Sequence, residues 1–163
     1  MQEMQDFFAV QTLLSHTLPL MKAPPVNLGV VCRFLDVEVY SQPCTAFGAI
    51  FVRRRGKGVI LVNSSLPQGR ARFSIAHELG HFVLRHPPVH STSFREELER
   101  QADCFAAQLL MPRELILHDR LRYDAMTLKR LYKVSGQALE IRLKSLSSMP
   151  SPLKDRAVTL QPS

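Results

Sequence analysis

His77, Glu78 and His81 stand as H-E-x-x-H within the stretch from Phe73 onward, whose apolar spacing predicts a helix. Residues four apart share a helix face, so both imidazoles can reach one ion. Neutral imidazole suits zinc, with manganese as the alternative metal, and a catalytic site keeps three protein ligands and an open fourth position. Binding to such an ion lowers the pKa of water to roughly 7. Glu78, one residue on from His77, can meet that water instead of the metal. It would take the water's proton and later pass it to a leaving amine. An accidental match on an ordinary amphipathic helix is the competing explanation, expected in fewer than about one chain in a hundred of this length.

A third ligand has to come from elsewhere. The longer H-E-x-x-H-x-x-G-x-x-H pattern would need glycine and histidine where this chain has Leu84 and Pro87. Glu99 and Asp103 stand four apart on the next predicted helix, and the loop around His86 to Thr92 is short enough to fold that helix back antiparallel. His81 and Glu99 each lie roughly 7 Å from the turn at 1.5 Å per residue, so they should sit level. His77 and Asp103 should sit level one turn further on. Glu99 is therefore the expected third metal ligand, and Asp103 the acceptor of the His77 ring N–H. Ala102, Ala106 and Ala107 would let the helices approach closely. Glu96 reads as a helix cap, Glu97 points to another face, and Cys104, about 100° around from Asp103, reads as a buried structural thiol.

The elements that must hold these residues are also legible. Asp6 to Ser15 predicts a short amphipathic helix, and Asn27 caps a second through Phe34 with Leu28, Val31, Phe34 and Leu35 inward. Val37–Tyr40, Ala49–Val52 and Val59–Val62 read as strands, the last two joined through the basic turn Arg53 to Gly58, which suggests a three-stranded antiparallel sheet. Helices follow at about Ala71–Arg85, stopped by Pro87 and Pro88, then from a capping-box pattern at Ser93 to Leu110, then Arg113–Leu121 behind Pro112. Met126–Lys133 and Gln137–Leu146 make a final pair. The expected fold class is α+β, mostly helical, with the small sheet packed on the motif helix. Residues 1–146 are expected to form one domain, and the tail from Ser147 to be loosely ordered.

Composition sets outer bounds. The 163 residues are 45% hydrophobic and 21% charged, an ordinary globular balance. No apolar run could cross a bilayer, and the first six residues show no secretory signal. Cys32, Cys44 and Cys104 have no paired spacing and fit free thiols in a reducing cytoplasm. The formal charge of +7 fits a nucleic-acid partner, an acidic protein partner or a plain solvated surface.

Two stretches carry a resemblance. Arg70-Ala71-Arg72-Phe73-Ser74-Ile75-Ala76-His77-Glu78-Leu79-Gly80-His81 and Glu99-Arg100-Gln101-Ala102-Asp103-Cys104-Phe105-Ala106-Ala107-Gln108-Leu109-Leu110-Met111-Pro112 are similar to the ImmA/IrrE family of metallopeptidases. A weaker likeness runs from about Pro25 to Leu146. The resemblance implies a zincin-like fold with a small sheet over the metal helix. It also implies a cytoplasmic, site-specific endopeptidase that cuts a helix-turn-helix transcriptional repressor, switching on genes of a mobile element or a stress response. The length leaves no room for the sensory domain of some larger relatives, so activation is expected to come from elsewhere.

Other functions compete. Residues 124–146 have a helix-turn-helix flavour, with Lys129, Arg130, Lys133, Arg142 and Lys144 as a basic face that could contact DNA. Two packed helices with solvated cations would look the same. A zinc-stabilised interaction module without activity is a third reading, in which Glu78 would be dispensable. Either the Ala49–Val52 or the Val59–Val62 strand could receive an extended substrate along its edge. His86, His90, His118 and Tyr123 are the candidate donors to a developing oxyanion.

Overall fold

The most apolar strand takes the centre of the sheet. In the computed structural model, which describes residues 2–17, 23–87 and 92–148, three strands form one sheet: β1 (Val37–Gln42), β2 (Ala49–Arg54) and β3 (Lys57–Asn63) in the order β1-β3-β2. β3 carries Val59, Ile60 and Val62, all buried, and pairs on both sides. The polar strand β1 and the arginine-ended β2 take the edges. The sheet is mixed, which corrects the antiparallel expectation. β2 pairs antiparallel with β3, but β1 pairs parallel to it, Val37 opposite Gly58 and Gln42 opposite Asn63. Residues 43–48 carry the chain past the position of β3 instead of forming a hairpin, so chain order does not set spatial order. The β2–β3 turn is tight, with Arg55 at φ 52° and Gly56 at φ 83°, the paired positive values a two-residue hairpin needs.

The helices are α1 (Gln2–Thr17), α2 (Leu28–Phe34), α3 (Gln68–Val83), α4 (Thr92–Leu110), α5 (Arg113–Asp119), α6 (Ala125–Tyr132) and α7 (Gly136–Ser148). The side chain of Asn27 caps α2 by accepting from the Gly29 and Val30 N–H groups. Phe34, expected inward, is 52% exposed against the His16 ring. Leu28, Val31 and Cys32 define the buried stripe, and Phe34 lies more than a quarter-turn from its middle. α3 begins at Gln68, three residues before the expected start, behind Pro67. Asp124 caps α6 through the Thr127 N–H, and Ser135 accepts from Ala138 N–H at the start of α7. The expected tail overlaps α7, which continues through Ser148, and residues 149–163 lie outside the described ones. The capping box at Ser93 rests on a side chain that is likewise outside them.

α3 and α4 lie against each other along their length. Ala76, Leu79 and Gly80 on α3 and Ala102, Phe105, Ala106 and Leu109 on α4 are buried, and Gly80 lies against Ala102 and Phe105. Ala76, Leu79, Phe105, Ala106 and Leu109 belong to one continuous apolar cluster reaching from Val10 on α1 to Leu146 on α7. Each fully buried Leu or Phe there contributes about 1.5–3 kcal/mol. Because the opposing residues are small, the two backbones come within one methyl group of each other at Gly80 and Ala102.

Candidate metal centre

α3 turns His77 and His81 to the same side, with ring centroids 4.7 Å apart and Nε2 atoms 3.0 Å apart. Glu99 on α4 faces both: Oε2 is 3.1 Å from His77 Nε2 and Oε1 is 3.6 Å from His81 Nε2. One ligand atom from each of the three residues lies within 4.8 Å of the others. Two nitrogen lone pairs converging beside a carboxylate repel unless a cation stands among them. A proton on His77 Nε2 can serve both acceptors, and a divalent ion fits the same donor set of two imidazoles and one carboxylate.

The surroundings bias each group. Asp103 Oδ1 lies 2.8 Å from His77 Nδ1, the pairing expected from their level positions on facing helices. Burial works against a charged His77. The Asp103 hydrogen bond and the charges of Asp103, Glu99 and Glu78 outweigh it and hold the pKa above 6.5. Burial and then the His77 charge push His81 below its ordinary value, against the pull of Glu99. Glu78 is raised, chiefly by burial, although the His77 charge and a backbone N–H oppose the shift. A carboxylate biased upward in this way is better matched to accepting and returning a proton near neutrality.

Glu78 lines the same cleft, of about 430 Å³, as His77, His81, Glu99 and Arg95. Its Oε2 accepts the Phe51 N–H at 3.0 Å. That contact fixes which side of β2 borders the site. Asn63 N–H donates to Gly48 O, so the even-numbered residues of β2 face β3. Ala49, Phe51 and Arg53 therefore turn their amides to the outer edge, alongside Glu78. β3 is paired on both sides and cannot receive another strand, which removes Val59–Val62 as a substrate edge.

The other expected residues are distributed differently. Glu97 turns to Arg100 and Gln101, whose hydrogen bonds, with the Arg100 charge, hold it down to about 2. Cys104 is half-buried, not buried, and receives Gln108 Nε2 at 3.2 Å. His118 pairs with Asp119, and Tyr123 lines a groove beside Leu128 and Lys144, apart from the cleft. His90 lies outside the described residues. His86 contacts His81 at Nδ1, 2.9 Å away, on the far side of that ring from the Nε2 that faces Glu99. Sequence reasoning missed Arg95, the Phe51 amide and Gln101, since none belongs to a spacing motif.

The basic face of the last two helices is smaller than its composition suggested. Arg142 is 4% exposed and donates Nε–H to Met111 O, and burial pushes it down to about 10. Lys144 is paired with Glu140. Among the described residues, no helix is long and apolar enough to cross a membrane.

Residues 29–144 match the model of the IrrE N-terminal-like domain, Peptidase M78. The chain belongs to that family. Membership in Peptidase M78 supports a metal-dependent peptidase or an IrrE-like regulator, and the clustering of His77, His81 and Glu99 supports a metal. The fold is similar to that of a Mycobacterium tuberculosis transcriptional regulator, with a TM-score of 0.62 and 20% identity over 91% of this chain and 48% of that one. The chain thus spans about half the length of that structure. No curated protein matches the sequence.

Proposed function

We propose that this IrrE-like domain is a zinc metallo-endopeptidase in which His77, His81 and Glu99 hold the ion and Glu78 handles the proton. The observation that carries the reading is the convergence of both Nε2 atoms on the Glu99 carboxylate, with Glu78 in the same cleft. A zinc ion held there would supply a Lewis acid and a water acidic enough to attack at neutral pH. Glu78 would take the water's proton on its carboxylate and deliver it to the departing amine. Asp103 would keep His77 in the tautomer whose Nε2 faces the ion. The outer edge of β2 would receive an extended substrate segment, its main chain hydrogen-bonding beside Glu78. A segment so bound would compete with Glu78 for the Phe51 N–H and release the carboxylate for its work.

The family likeness favours a helix-turn-helix repressor as substrate, cleaved at one site to derepress its genes in the cytoplasm. Direct DNA contact is the second reading. The inward turn of Arg142 and the pairing of Lys144 weigh against it, leaving Lys129, Arg130 and Lys133. The test combines purified protein, a repressor encoded beside it, and zinc or manganese. The expected result is a single defined cut, lost in Glu78→Gln with metal binding intact. His77→Ala and Glu99→Ala should lose both. Undiminished cutting by Glu78→Gln would refute the mechanism.

A further inference from the structure

His86 stands just past the motif helix, yet its backbone and its ring both return to His81. α3 ends with Leu84 N–H on Gly80 O at 2.9 Å and His86 N–H on His81 O at 3.0 Å, and the intervening Arg85 is left-handed, φ 55°. This is the helix ending in which a residue beyond the cap bonds a carbonyl five positions earlier. Glycine ordinarily takes the left-handed place, so an arginine there is held against its preference. The turn sets the His86 ring with Nδ1 2.9 Å from His81 Nδ1 and Nε2 3.0 Å from Gln101 Oε1. Gln101, 5% exposed, donates Nε2–H to Glu97 Oε1 at 2.8 Å, and Arg100 bonds both Glu97 oxygens.

The direction of every bond in this chain follows from its far end. The Glu97 carboxylate only accepts, so Gln101 must turn its NH₂ toward Glu97 and its carbonyl toward His86. A carbonyl only accepts, so His86 Nε2 must carry a hydrogen. Neutral His86 then presents a lone pair at Nδ1, and His81 must donate Nδ1–H to it. The geometry points to His86, backed by Gln101 and Glu97, as a positioning residue that locks His81 in the Nδ1–H tautomer and leaves its Nε2 lone pair for a metal ion. The two imidazoles are thus oriented by different means, His77 by the Asp103 carboxylate and His81 by a neutral ring. The proposal rests on reading His77, His81 and Glu99 as metal ligands.

The test joins nitrogen-15 NMR of the histidine rings at pH 8, without metal, to zinc titration against a competing chelator. The parent should show His81 protonated at Nδ1. His86→Leu should shift His81 toward the Nε2–H form and weaken zinc binding roughly 10–100-fold. His86→Asn can place an oxygen where Nδ1 stands, and should restore both the tautomer and most of the affinity. A merely structural role would instead lower thermal stability in both variants and leave the tautomer alone. A parent that takes no zinc sinks the metal reading and this proposal together. A parent that binds zinc no more tightly than His86→Leu, or that carries the His81 proton on Nε2, sinks this proposal alone.

Discussion

At Gly80 an added methyl group would lie 3.1 Å from Ala102 Cα, 3.2 Å from Ala102 O and 3.2 Å from Phe105 Cδ1. Helix propensity alone makes Gly80→Ala stabilising by about 1 kcal/mol. Packing opposes it. Carbon atoms rest at about 3.5–4.0 Å, so the new contacts are short by a few tenths of an ångström. Two of the three atoms are α4 backbone and cannot rotate away, so the helices must part. Such overpacking costs about 1–3 kcal/mol, which leaves a net loss of about 1 kcal/mol and a fall in Tm of roughly 2–4 °C for a chain of this size. Zinc binding should suffer as well, because His81 adjoins Gly80 and Glu99 lies one turn before Ala102. Ala102→Gly should give no rescue, since the obstruction is main chain. Thermal denaturation with zinc titration of the single and double variants decides it. A Gly80→Ala protein with raised Tm and unchanged zinc affinity would refute the close helix contact as the frame of the site.

Asp103→Ala should weaken zinc binding roughly 10–100-fold by freeing the His77 ring, and chelator competition would measure it; unaltered affinity would remove Asp103 from the site. In metal-free protein the His77 ring should titrate above 6.5 by NMR. Its protonation then stabilises the fold fully below the unfolded value, and that contribution is lost as pH rises through the folded pKa; a midpoint at or below 6.5 contradicts this. Cys32 is 3% exposed and burial pushes its thiol up to about 11, so it should be the last cysteine alkylated at pH 8, read by mass spectrometry of timed digests. Arg142→Leu, which leaves Met111 O without its donor, should cost about 1–3 kcal/mol in urea unfolding; a cost near zero would mean that Arg142 does not tie α7 to the end of α4.

The convergence of the candidate site's side chains was legible because helix periodicity is rigid: H-E-x-x-H and the Glu99–Asp103 pair fix which atoms can face each other across a short turn. The helices were legible for the same reason, with errors of a few residues at α1 and at α3, whose N-terminal Pro67 offers no side-chain cap. The sheet was less so. Alternation in β1 shows a strand but says nothing of its neighbour, and only pairing on both sides puts β3 in the middle. The inward turn of Arg142 was hidden because a buried and a solvated arginine share one letter. His86 was read only as a candidate oxyanion donor, and its return to His81 was not legible because the left-handed turn that brings it back is made by Arg85, where a glycine would have signalled the ending.

X-ray absorption at the zinc edge measures the claim at the base of this account most directly. One ion per chain should be bound by two nitrogens at roughly 2.0–2.1 Å with light oxygen neighbours and no sulfur, and Glu99→Ala should lose the ion. A sulfur shell near roughly 2.3 Å, or full zinc occupancy in Glu99→Ala, would contradict it.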